Sequence, residues 1–177
     1  ADLDNDGDRD LVTSFYYHRL EWFENGHNDR SEVYLNDGDG HFTLKEDAGL
    51  HDHQYHPDLD PGMIDAVGIS FLDYDYDGIL DIYIATKFVD YKNSKYFPDI
   101  LMKGQGDGSF VEIKDNGVRN TPEPLYGANV TDWNNDGWQD VITSPYCRTS
   151  GRLLKNMKDG TFKEVQDEVG YDAQAIG

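Results

Sequence analysis

The chain has 177 residues, and its 37% hydrophobic and 13% aromatic content suits a folded domain with a real core rather than an intrinsically disordered segment. Thirty-five acidic against 15 basic residues give a formal charge of −20, which repels nucleic-acid phosphates and anionic membrane surfaces and leaves cations as the natural partners. No run reaches the roughly 18 apolar residues that span a bilayer, the opening residues lack a signal-peptide pattern, and the single cysteine, Cys147, cannot form an internal disulfide and reads as a small half-buried apolar residue.

The chain opens on an Asp-rich loop, Asp2 to Asp10 (DLDNDGDRD), followed at once by the β-type run Leu11-Val12-Thr13. The aromatic-rich connection that comes next carries Tyr16, Tyr17, Trp22 and Phe23, and Trp22 to Gly26 reads as an extra hairpin. Asp39-Gly40-His41-Phe42 then marks a hairpin turn, since Gly tolerates the positive φ such turns need, and Gly49 follows. After the inserted stretch from His51 to Ile64, an alternating segment from Val67 to Phe71 leads into a second Asp loop, Asp73 to Asp81 (DYDYDGILD). Ile82 to Ala85 leaves that loop, a connection with Tyr91, Tyr96 and Phe97 follows, and Asp107-Gly108-Ser109-Phe110 and Gly117 repeat the turn and the later glycine. Gly127 to Thr131 enters a third loop, Asp132 to Asp140 (DWNNDGWQD), and Val141 to Thr143 leaves it; Asp159-Gly160-Thr161-Phe162 and Gly170 close the series.

This self-similarity predicts three repeats, about 1–63, 64–123 and 124–177, each of four strands: one into the Asp loop, one out of it, and a hairpin pair around Asp-Gly. Four-stranded repeats of this kind close radially into propellers of about four to eight blades. The fold expected is therefore all-β, three blades of a larger β-propeller whose remainder comes from the parent chain or another chain. Gly177 falls in phase with Gly68 and Gly127, as a whole number of repeats cut from a longer array would.

Calcium takes about six to eight oxygens at flexible geometry, and a short loop with carboxylates at alternate positions can wrap around it. Loop positions one, three, five and nine supply Asp2, Asp4, Asp6 and Asp10; Asp73, Asp75, Asp77 and Asp81; and Asp132, Asn134, Asp136 and Asp140. Position seven holds the unrelated Asp8, Ile79 and Trp138, which suits a residue that contributes only its backbone carbonyl. Gly7, Gly78 and Gly137 make the bend. An EF-hand would need Glu at position twelve and flanking helices, yet that position holds Thr13, Ile84 and Thr143 inside strands. Simple Asx turns would leave the crowding of like charges uncompensated. Three calcium ions, one per loop, are the expectation.

These loops, their flanking strands and the NDGDGHF turn resemble the FG-GAP or VCBS repeats of integrin-α-like β-propellers, and YLNDGDGHFTLKEDAGL with GISFLDYDYDGILDIYIA is similar to secreted ASPIC/UnbV-type repeat proteins. The resemblance covers nearly the whole chain. It implies a calcium-stabilised propeller at the cell surface, outside the cell or in the periplasm, used in adhesion, ligand capture or assembly.

Other clusters are weaker. His51, His53 and His56 with Asp52 have no fixed metal-site spacing and read as a solvated loop rather than a zinc or copper site. The aromatic connections fit packing against the next blade better than sugar stacking. Lys103 to Gly108 lacks the Lys-Ser/Thr ending of a phosphate loop and reads as a turn, and the sequon at Asn129 lies in a strand where a glycan should not fit. No nucleophile or metalloprotease motif is present. The function expected is therefore binding of a protein or carbohydrate ligand, or scaffolding; the alternatives are a propeller-based polysaccharide lyase or hydrolase and a purely structural subunit.

Overall fold

The computed structural model describes residues 1–14, 31–50, 66–90, 95–118, 123–146 and 149–171. The expectations placed on Tyr16, Tyr17, Trp22, Phe23, the His51–His56 cluster, Tyr91 and Cys147 lie outside these residues.

The fold is all-β. The first sheet, in spatial order, is β1 (Leu11–Thr13), β2 (Glu32–Asn36) and β3 (Phe42–Leu44). The second is β4 (Ala66–Leu72), β5 (Asp81–Thr86), β8 (Ile100–Gly104) and β9 (Phe110–Ile113), with β6 (Phe88–Asp90) and β7 (Lys95–Tyr96) forming a separate two-stranded hairpin between β5 and β8. The third is β10 (Leu125–Thr131), β11 (Asp140–Pro145), β12 (Leu153–Asn156) and β13 (Phe162–Glu164). Neighbouring strands are antiparallel throughout. A single helical turn, α1 (Gln166–Val169), follows β13 and ends on Gly170 in the left-handed conformation. The β6–β7 hairpin and α1 are additions to the pattern anticipated from the repeats.

Register repeats as closely as sequence does. Leu72 pairs with Asp81 and Thr131 with Asp140 across the two complete Asp loops, and both incoming strands carry a bulge at the same place, between Ala66 and Gly68 and between Leu125 and Gly127. Each Asp-Gly turn closes between Asn36 and Phe42, Gly104 and Phe110, or Asn156 and Phe162. These sheets of three and four strands, repeated in one register, are propeller-type blades.

Every residue of β5 is buried, because its two faces serve two cores. Ile82 and Ile84 pack with Leu3, Val33, Leu50, Ile100 and Met102 toward the first sheet, whereas Tyr83 and Ala85 pack with Leu101, Leu125, Val141, Leu154 and Phe162 toward the third. The glycine that follows each turn explains its own recurrence here. Gly49 (φ +78°) and Gly117 (φ +85°) are left-handed, and a Cβ on either would collide with the carbonyl oxygen of Phe110 or Phe162 in the next sheet. That approach is held by hydrogen bonds from Phe110 N–H to Ala48 C=O (2.8 Å) and from Phe162 N–H to Asn116 C=O (2.7 Å).

Candidate functional site

The second and third Asp loops connect the first and second strands of their sheets, and the first loop leads directly into β1; the strand paired with the outgoing one, β2, β8 or β12, runs past the loop's far end. Backbone geometry is the same in all three. Position four is left-handed, at Asn5 (φ 61°), Tyr76 (φ 60°) and Asn135 (φ 56°), and the glycine two residues later has φ of 100°, 85° and 83°. The carboxylates turn inward on the loop's own N–H groups. Gly7, Gly78 and Gly137 donate to Asp2, Asp73 and Asp132 at 3.2, 3.0 and 2.9 Å, and Asp8, Ile79 and Trp138 N–H donate to Asp6, Asp77 and Asp136 at 2.9, 2.9 and 3.0 Å.

The ninth-position aspartates do more than sequence reasoning assigned them. Asp10, Asp81 and Asp140 are buried. Asp10 accepts from Leu3 N–H (2.7 Å) and Asn36 N–H (2.9 Å), and Asp81 accepts from Tyr74 N–H (2.9 Å) and Gly104 N–H (2.9 Å). Asn156 N–H likewise donates to Asp140 at 2.8 Å. Each carboxylate thus ties its loop to the strand next to the outgoing one, β2, β8 or β12. Burial pushes the Asp81 carboxyl up to about 6, against the pull of its two N–H donors, and burial raises Asp140 as well.

Carboxylate oxygens of Asp2, Asp4 and Asp10 lie within 4.8 Å of one another, as do those of Asp73, Asp75 and Asp77. Asp2 Oδ1 and Asp75 Oδ1 are buried and lack any hydrogen-bond partner. A hard divalent cation fits such a donor set: it would satisfy the orphaned oxygens and neutralise the crowded charges. Asp6 and Asp81 lie outside these two groups. The third loop forms no comparable acidic group among the described residues; its third position is Asn134, whose Nδ2 donates to Asp136 at 3.2 Å.

Two features were invisible in the sequence. Lys103, on β8, reaches Asp75 at 2.5 Å and Asp77 at 2.7 Å, and this hydrogen bond holds the Asp77 carboxyl below its ordinary value. Adjacent loops also touch: Tyr76 stacks on Trp138 with centroids 4.7 Å apart, its hydroxyl donates to Gly137 C=O, and Asp73 N–H donates to Gln139 at 2.7 Å. Asn129 lies in β10 as expected, but its exposed side chain removes the steric objection to its sequon. Lys103 to Gly108 is a strand end and a turn, with Gln105 N–H donating to Ser109 C=O at 3.0 Å. Phe97 is buried, in keeping with a packing role for the connection that carries it.

Residues 2–84 match the family model of the FG-GAP-like repeat, so this stretch, which holds the first two Asp loops, is built of FG-GAP-type repeats. A search of curated proteins returned no match. No helix among the described residues is long and apolar enough to cross a membrane.

Proposed function

We propose that this β-propeller-type chain is a calcium-stabilised binding or scaffolding module that works outside the cytoplasm. The observation that carries the reading is the convergence of three carboxylates within 4.8 Å in each of the first two loops, each group including an aspartate with a buried, unpartnered oxygen. In the first loop Asp2, Asp4, Asp6 and Asp10 would hold the ion, with the Asp8 carbonyl; in the second, Asp73, Asp75, Asp77 and Asp81, with the Ile79 carbonyl. Asp132, Asn134, Asp136, Asp140 and the Trp138 carbonyl would make a weaker third site with one carboxylate fewer. The bound ion supplies charge neutralisation, which locks the loops between sheets so that the opposite face and the connections are presented rigidly to a protein or carbohydrate ligand.

Melting the chain in EDTA, in millimolar calcium and in millimolar magnesium, at a salt concentration that screens nonspecific charge effects, tests this. A ligand at a hundred times its Kd stabilises the folded state by about 2.7 kcal/mol per site, so calcium should raise Tm by several degrees or more. Magnesium should do far less, because it prefers a tight octahedron and keeps its waters. Equal melting temperatures in all three conditions would refute the reading.

A further inference from the structure

The three loops differ in one side chain that comes from outside them. The residue just before each Asp-Gly turn closure is Leu35 in the first sheet, Lys103 in the second and Lys155 in the third, as fixed by the equivalent pairs Asn36–Phe42, Gly104–Phe110 and Asn156–Phe162. Lys103 Nζ is 2.5 Å from Asp75 and 2.7 Å from Asp77, and it sits 5.4 Å above the Tyr74 ring. One ammonium thus holds two of the three carboxylates that converge in the second loop. Lys155 stays 3.9 Å from Asp136, where Lys158 approaches to 3.4 Å. In the first loop, among the described residues, no lysine or arginine pairs with an aspartate, and Leu35 instead packs, partly buried, against the apolar core.

Resting on the reading of the loops as calcium sites, we propose that Lys103 is the second loop's own counter-cation and sets its calcium threshold. Without metal, the ammonium bridges Asp75 and Asp77 and keeps the loop closed. For calcium to enter, Lys103 must withdraw, which its flexible four-carbon stem allows. The work of breaking that bridge is subtracted from the binding of the ion. The first loop has no such competitor, so it fills at lower calcium although both loops carry aspartate at the same four positions, one, three, five and nine. The pair forms a graded device: one site filled wherever calcium is present, and a second that responds as its concentration rises.

The test is calorimetric calcium titration of chelator-stripped protein, with Asp77→Ala identifying the step that belongs to the second loop. Lys103→Leu gives the second loop the residue of the first. It should tighten the second-loop step at least about tenfold, or about 1.4 kcal/mol, and lower Tm in EDTA by uncovering the Asp75–Asp77 repulsion. Leu35→Lys should weaken the first-loop step. Lys103→Gln, which keeps a polar side chain but no charge, serves the same purpose if Lys103→Leu fails to fold. A second-loop step that stays within twofold of wild type in both Lys103 variants would overturn the counter-cation role while leaving the calcium reading intact. Absence of any calcium step in wild type and variants alike would overturn both.

Discussion

Where the first two sheets meet, the buried core is apolar: Ile82, Ile84, Ile100 and Met102 of the second sheet lie against Leu3, Val33 and Leu50, Ser31 fills the place just before β2, and the Lys45–Asp107 ion pair lies at the surface. Where the second and third sheets meet, the equivalent places before β8 and β12 hold Asp99 and Arg152, both buried, and the facing strand offers Tyr83. Asp99 accepts from Tyr83 OH (2.5 Å) and Thr86 N–H (3.0 Å) and pairs with the Arg152 guanidinium, which also donates to Val118 C=O at 3.2 Å. Burial drives the Asp99 carboxyl upward, and the arginine opposes it. Apolar packing closes both joints, with one backbone hydrogen bond from the N–H of the Phe after the turn in each. The ion pair adds a demand that only one neighbour can meet, because either charge left alone inside would cost more than the pair contributes.

The comparison breaks most visibly at Arg152. Replacing it with Met strands the Asp99 charge in the interior and should cost about 3–5 kcal/mol in urea unfolding, whereas adding Asp99→Asn should recover part of the loss, since the amide oxygen still accepts from Thr86 N–H. A single Arg152→Met variant as stable as wild type would mean that the second joint, like the first, holds without a buried ion pair.

What the joints share is tested next, at their glycines. Gly49→Ala and Gly117→Ala each place a Cβ against a neighbouring carbonyl at positive φ, so both should cost about 3 kcal/mol. Gly170, with φ +73° but nothing within 4 Å of its would-be Cβ, should lose only about 1 kcal/mol as Ala. The difference between the two classes, read from unfolding midpoints, isolates the sheet-to-sheet contact from the backbone preference.

Much of this was legible in the sequence, and the rest was hidden for physical reasons. Aspartates at alternate positions with a glycine bend announce a loop chemistry, and the strands on either side of the second and third loops fall where the alternation of Val67–Phe71 and Gly127–Thr131 places them. Recurrence of Gly49, Gly117 and Gly170 was visible, but for Gly49 and Gly117 its cause lies in the next sheet and could not be read from neighbours in sequence. Asp99 and Arg152 are 53 residues apart and look like any surface charges until the fold joins them. Lys103 was hidden for the same reason: it lies 26 and 28 residues from its partners and inside a turn-like segment. The ninth-position aspartates looked like ligands only, because the donors that anchor them to the sheet, Asn36, Gly104 and Asn156, sit on another strand.

Tyr76 sharpens the comparison by the smallest margin. The other two loops place Asn5 and Asn135 at this left-handed position, where Asn is tolerated and a bulky residue costs on the order of 1 kcal/mol. Tyr76 offsets that strain across the second joint: its ring stacks on Trp138 for about 0.5–1.5 kcal/mol, and its hydroxyl donates to Gly137 C=O for about 1 kcal/mol. Tyr76→Phe keeps the strain and the stack while losing the hydroxyl, so it should cost about 1 kcal/mol in EDTA. Tyr76→Asn loses both contacts but relieves the backbone, so it should cost about as much as Phe does, about 0.5–1.5 kcal/mol. In a Trp138→Ala background, where the stack is already gone, Tyr76→Asn should be neutral or stabilising, and the double-mutant cycle should return a coupling of about 1 kcal/mol. If Tyr76→Asn instead costs more than about 2 kcal/mol and the coupling vanishes, the tyrosine serves its own loop rather than the joint.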